Sequence, residues 1–234
     1  MRQIVLDTET TGLEPREGHR IIEIGCVEMV DRRLTGNTYH QYINPERAVD
    51  EGAFSVHGIS DEFLLDKPVF ARVAEEFLNF VKGSQLVIHN APFDMGFLNH
   101  EMSLLGNFKK PLEDYCTVLD TLDMAKKMHP GQRNNLDALC RRYGIDNTNR
   151  ELHGALLDSE ILADVYLAMT GGQVSLKFTD TGGADSQYGD EIIRLDPQRK
   201  ALNVLLANDA EMAAHESILD LVEKSAGEAI WRKL

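Results

Sequence analysis

The 234-residue chain is long enough for one large domain, or one domain and a tail, around a substantial core. With 43% hydrophobic and 26% charged residues it falls outside the disordered and membrane classes. A net charge of −14 excludes a protein that grips long nucleic acid through its own Lys and Arg, so any nucleic-acid chemistry here needs metal ions or a partner.

The first apolar run, Ile4-Val5-Leu6, meets the carboxylate of Asp7 too early for a secretory signal, and no apolar run is long enough to span a bilayer; a cytoplasmic protein is expected. Cys26, Cys116 and Cys140 are odd in number, widely spaced and set among apolar neighbours, the pattern of reduced, buried thiols and not of a disulfide or zinc site.

In chain order, β-rich runs over Gln3–Asp7, Ile21–Val30 and Leu34–Ile43 are separated by turn formers, and the short gap between the last two predicts a hairpin. An amphipathic helix is predicted from Pro68 through Val81, with Phe70, Val73, Ala74, Phe77, Leu78 and Val81 on one stripe and Gly83 ending it. Gln85–His89 reads as a short strand and Tyr115–Leu119 as another. Helical patterns cover Phe93–Leu105, Leu122–Met128, Leu136–Tyr143 and Ala155–Met169. Three strands followed by alternating helices and strands predict an α/β fold, a mixed sheet flanked by helices. After Gly171-Gly172 the pattern changes. Thr179 to Asp190 has the small, polar composition of a flexible linker, and apolar periodicity returns over Ile192–Leu206 and Met212–Val222, as in a helical C-terminal tail too short for a core of its own.

Asp7-Thr8-Glu9-Thr10-Thr11-Gly12 ends the first strand. Alternation on a strand sends Asp7 and Glu9 to the same face, and two close carboxylates are costly unless a cation joins them. By itself an acidic pair at a strand end is more often a solvated edge. The second candidate element, Leu86-Val87-Ile88-His89-Asn90-Ala91-Pro92-Phe93-Asp94, runs from a strand into a helix whose first turn carries Asp94, and an Asp there also serves as an ordinary helix-dipole or capping choice. In the third, His153-Gly154-Ala155-Leu156-Leu157-Asp158, a His precedes a helix and an Asp lies about one turn inside it. A lone His at such a place is usually incidental.

Taken as an ordered set, Asp7, Glu9, Asp94, His153 and Asp158 resemble the DEDDh exonucleases, a 3′-5′ exonuclease family with a ribonuclease H-like fold, over about residues 3 to 170. The resemblance implies that Asp7, Glu9 and Asp158 ligate two divalent metals and contact substrate, that Asp94 assists the second metal, and that His153 is the general base. The chemistry agrees: two metals stabilise both the attacking and the leaving oxygen of a phosphodiester, carboxylate ligands favour Mg²⁺ or Mn²⁺, and an imidazole exchanges protons near neutral pH. Phe54-Ser55-Val56-His57-Gly58-Ile59 is similar to the family segment that contacts the terminal nucleotide, which assigns His57 to substrate binding. Gly52 departs from the pattern, standing where relatives carry an acidic substrate contact, with Glu51 beside it.

Over its whole length, including Leu34-Thr35-Gly36-Asn37, Asp61-Glu62-Phe63-Leu64-Leu65-Asp66-Lys67-Pro68 and the tail ending at Trp231, the chain resembles the proofreading-subunit family of bacterial DNA polymerase III. That implies removal of mispaired nucleotides from a DNA 3′ end. It also implies binding of the polymerase alpha subunit by the C-terminal tail and of the small theta subunit by the nuclease domain. Gln173-Val174-Ser175-Leu176-Lys177-Phe178 is similar to the clamp-binding peptides of bacterial replication proteins, with Gln173, Leu176 and Phe178 as anchors on the sliding clamp. The expected organisation is an exonuclease domain over 1–172, clamp motif and linker over 173–190, and a polymerase-binding segment over 191–234. An RNA-trimming exonuclease of the same fold would keep the five site residues but lack the linker and tail.

Overall fold

The structure, a computed structural model, describes residues 1–106, 108, 110–148, 152–171 and 206–233. Three successive apolar strands set its centre: β1 (Arg2–Thr10) pairs antiparallel with β2 (Ile21–Val30), which pairs antiparallel with β3 (Arg33–Tyr42) in the expected hairpin. Two short helices follow, α1 (Glu51–His57) and α2 (Asp61–Leu64), and then the amphipathic α3 (Phe70–Val81). β4 (Gln85–Ile88) lies parallel to β1 and leads into α4 (Ala91–Leu105); β5 (Thr117–Asp120) lies parallel to β4 and leads into α5 (Thr121–Met128), α6 (Leu136–Tyr143) and α7 (Ala155–Thr170). The sheet is five-stranded and mixed, in the order β3-β2-β1-β4-β5.

Strand alternation divides the core between the two faces of this sheet. Ile4, Leu6, Ile24, Cys26, Leu86 and Ile88 pack on one side with Phe70, Phe77, Phe97 and Leu98 of α3 and α4. Val5, Met29 and Val87 pack on the other with Leu139, Ile161, Leu162 and Val165 of α6 and α7. Asp7 and Glu9 continue the row of Val5, so they emerge at the end of β1 on the α7 side. Thr8 belongs to the opposite row. The β1–β2 register shifts directly after Glu9, an irregularity of the sort that re-aims side chains beside active sites. All three cysteines are buried, and burial pushes the Cys26 thiol well above its ordinary pKa.

Several boundaries differ from the sequence expectation. β1 runs on to Thr10 because its pairing with β2 continues to Ile21. The third helix begins at Phe70, two residues after Pro68. The segment holding His57, for which no element was predicted, is helical, and His57 closes α1.

The chain divides into two compact units, Met1–Lys177 and Phe178–Leu234. In the second, α8 (Asp209–Ala226) begins at a capping box formed by Asn208 and Glu211. A 3-10 turn at Ile230–Lys233 follows, and Arg232 there pairs with Glu216, Asp220 and Glu223 of α8. Leu219 is buried, whereas Ile218, Leu221, Val222 and Trp231 are exposed. The expected linker, most of the Ile192–Leu206 run, and Gln173, Leu176 and Phe178 lie outside the described residues. Among the described residues no helix is long and apolar enough to cross a membrane.

Candidate active site

β1, the β4–α4 turn, α7 and the segment just ahead of α7 deliver the predicted residues to one place. β1 supplies Asp7 and Glu9 from its last turns of the pleat. The β4–α4 turn supplies Asp94: Asn90 takes a left-handed conformation (φ 70°) with its N–H donated to the Asp120 carboxylate at 3.1 Å, and the chain reverses into Ala91-Pro92. A positive φ at a residue other than glycine is strained, and the Asp120 bond offsets that cost. Asp94 then faces the strand end, where the Thr8 hydroxyl donates to its Oδ1 at 2.7 Å. α7 supplies Asp158, whose N–H closes the first helical turn on the Gly154 carbonyl at 2.8 Å. His153, ahead of that helix, donates its backbone N–H to the Val56 carbonyl at 3.1 Å, which ties it to α1.

The result is a cavity of about 290 Å³ lined by Asp7, Glu9, Asp94, His153 and Asp158, with Thr8, His89, Phe93, Asn135, Leu136, Asp137 and Leu162. Ligand atoms of Glu9, His153 and Asp158 lie within 4.8 Å of one another, and His153 Nδ1 is 3.4 Å from Asp158 Oδ2. Glu9, Asp94 and Asp158 are buried; His153 is 44% exposed. Burial pushes the Asp94 carboxyl up to about 7 against the opposing hydrogen bond from Thr8, and the Asp120 carboxylate adds to the rise.

A second cavity, of about 420 Å³, shares Thr8, Glu9 and Phe93 with the first and is walled by Gly12, Leu13, Ala53, Val56 and His57. His57 is 5% exposed, and its Nδ1 accepts the Ile59 N–H at 3.0 Å, which leaves the ring proton on Nε2. Burial lowers its pKa, a hydrogen bond with the Thr10 backbone opposes that, and nearby His153 adds to the lowering. The departure at Gly52 acquires a place: Gly52 and Asp50 line this cavity whereas Glu51 does not. Asp50 was not picked out from the sequence, nor were Asn135 and Asp137 of the first cavity. In the fold Asn135 caps α6 and Asp137 is the acid of its first turn.

Residues 4–166 match the exonuclease family model. The chain is 57% identical to DNA polymerase III subunit epsilon of Escherichia coli K12, across 99% of this chain and 97% of that one. It is 47% identical to the protein of the same name from Rickettsia felis, across 97% and 99%. The chain belongs to the exonuclease family, among the epsilon subunits of DNA polymerase III. Among solved structures it is similar to exonuclease X in complex with 5′ overhanging duplex DNA, with a TM-score of 0.57 and 25% identity over 72% of this chain and 91% of that one. The fold is also that of Escherichia coli exonuclease I in a zinc-bound complex with single-stranded DNA, with a TM-score of 0.65 at 17% identity over 74% and 41% of the two chains.

This exonuclease family works with divalent metal, and the residues present fit such an ion. Buried carboxylates crowd one pocket, one of them is pushed toward neutrality, and hard oxygen donors predominate. A pH dependence follows. The folded pKa of Asp94 lies above its unfolded value, so between about pH 4 and 7 the folded state binds more protons than the unfolded, and this group costs stability as pH rises through that window. A cation beside the carboxylate offsets the cost. The gain in melting temperature on adding Mg²⁺ to EDTA-treated protein is therefore expected to be larger at pH 8 than at pH 5, and equal gains would show that Asp94 is ionised throughout.

Proposed function

We propose that this chain is the proofreading 3′-5′ exonuclease of a bacterial DNA polymerase III, with Asp7, Glu9, Asp158 and Asp94 holding two divalent cations, Mg²⁺ or Mn²⁺, and His153 acting as general base. The observation that carries it is the meeting of these carboxylates and one half-exposed imidazole in a pocket that adjoins an apolar cavity. Asp7, Glu9, Asp158 and Asp94 would hold the cations, whose charge would offset that of the phosphate and of the attacking and departing oxygens. The protein's own part is placement. Leu13, Val56 and Phe93 offer apolar walls to the terminal nucleoside, with His57 beside them, while Asp7, Glu9 and Asp158 stand at the phosphate. His153, at the pocket's open side, takes the proton of the attacking water. A DNA strand labelled at its 5′ end tests the polarity: labelled products shortening one nucleotide at a time support it, and immediate release of short 5′-labelled product overturns it.

The domain plan proposed with this function is an exonuclease domain over 1–172, a clamp motif and linker over 173–190, and a polymerase-binding segment over 191–234, in a cytoplasmic protein. The theta subunit is assigned to the exonuclease domain and the sliding clamp to Gln173, Leu176 and Phe178. The alpha subunit is assigned to the tail because α8 and the turn after it present Ile218, Leu221, Val222 and Trp231 to solvent, more apolar surface than so short a segment leaves exposed without a partner. A chain ending at Thr179 is expected to digest DNA normally but not to co-purify with the alpha subunit; stoichiometric retention of that subunit would place the contact elsewhere.

A further inference from the structure

The start of α7 fixes where Asp158 and His153 stand, and strand β2 makes its seat. At Gly25 the helix backbone comes so near that an added Cβ would fall 2.2 Å from the Ala155 carbonyl carbon, and the Ser159 hydroxyl donates to the Gly25 carbonyl at 2.9 Å. The third point of attachment is a buried carboxyl side chain. Glu23, within the apolar run Ile21-Ile22-Glu23-Ile24, is only 2% exposed and lies in register opposite Glu9. Its Oε2 accepts the N–H of Ala155, the first residue of α7, at 3.1 Å, and its Oε1 is 2.7 Å from His40 Nε2. The helix has Gly154 at its N-cap, which brings no side chain to accept an orphan amide. Glu23 supplies from the sheet what Gly154 lacks, and its negative charge suits the positive end of the helix.

We propose that Glu23 is a positioning residue for the nuclease reaction: it caps α7 from β2 and so holds Asp158 and His153 against Glu9, touching neither substrate nor cation. The inference rests on the metal-nuclease reading of that pocket. Glu23 links the strand that pairs with β1, where Glu9 lies, to the helix that bears Asp158. Loss of the link frees the first turn of α7 to shift relative to β1, and a displacement of about 1 Å is enough to disperse a preorganised group.

The test compares Glu23→Ala and Glu23→Gln with the parent in the full chain. In Glu23→Gln the amide oxygen still accepts from Ala155, while the charge is lost and the amide NH2 facing His40 Nε2 donates to it in the tautomer that leaves that nitrogen unprotonated. In Glu23→Ala, hydrogen exchange at the amides of residues 155 to 158 is expected to rise about tenfold, on the scale of a lost helix cap. Mn²⁺ affinity is expected to fall about 10- to 100-fold and kcat by a similar factor with KM for DNA unchanged, the range for residues that orient metal ligands. Glu23→Gln should restore all three to within about threefold of the parent. Parent-like exchange and Mn²⁺ binding in Glu23→Ala would show that Gly25 and Ser159 seat the helix alone, and a Gln variant as impaired as Ala would show that capping is not the role; either overturns the proposal. Should Glu23→Ala not fold, Glu23→Asp carries the test, since one methylene fewer withdraws the carboxylate from Ala155: faster exchange and weaker Mn²⁺ binding support the proposal, and parent-like values overturn it. Failure of the metal reading looks different, because the parent itself would then bind no Mn²⁺ while exchange at α7 still responds to Glu23.

Discussion

Asp7→Ala and Glu9→Ala are each expected to give a folded protein whose exonuclease rate is lower by orders of magnitude. Folding survives because the core of β1 lies upstream, in Ile4, Val5 and Leu6, and because removing one carboxylate from a crowded acidic pocket relieves repulsion. The rate is expected to fall because, in the proposed site, these groups would hold the cations. Metal-ion catalysis contributes several kcal/mol, and about 1.36 kcal/mol corresponds to tenfold in rate. Single-turnover digestion of a labelled strand beside a thermal melt of each variant measures both halves of the statement. Near-normal digestion by either variant would remove that residue from the site.

His153→Gln is expected to keep cation binding and lower the rate by about 10² to 10⁴, the range for general acid–base catalysis. The geometry makes the cation measurement necessary. His153 Nδ1 lies 3.4 Å from Asp158 Oδ2, and the imidazole belongs to the same close group as Glu9 and Asp158, so proximity alone would also suit a ligand. Its 44% exposure, beside buried carboxylates, suits a group that returns its proton to solvent each turnover. Mn²⁺ titration of the variant separates the roles: affinity lost with chemistry per bound ion unchanged would make His153 a ligand.

The parts of the fold most legible in the sequence were those whose packing is one-sided or whose ends carry local signals. α3 buries Phe70, Val73, Ala74, Phe77 and Val81 on one stripe, flanked by half-buried Leu78 and Phe80, and exposes Arg72, Glu75, Glu76 and Asn79, so its period is plain. The bounds of α6 follow from Asn135 capping its start and Gly144 turning left-handed at its end. α1 was invisible because its seven residues bury only His57 and leave Phe54 and Val56 exposed. Its helical form comes from contacts made elsewhere, such as the Val56 carbonyl with the amide of His153. For the pocket, strand alternation put Asp7 and Glu9 on one face, but they, like Asp94, His153 and Asp158, gained catalytic meaning only as members of an ordered family set. Asp50 and Asp137 carried no local mark, since each resembles a surface acid at a helix start. Glu23 did carry one: a lone carboxylate inside an apolar strand must find partners, and those partners, Ala155 and His40, could be named only from the tertiary structure.

The most direct measurement is the digestion of a 5′-labelled primer bearing a single mispaired nucleotide at its 3′ end, annealed to template, with Mg²⁺ present and again after EDTA. The proofreading assignment requires removal of the mispaired nucleotide with Mg²⁺, faster than of a paired one, and loss of that removal after EDTA. Equal removal with and without EDTA, or no removal of the mispaired nucleotide by folded protein, would contradict it.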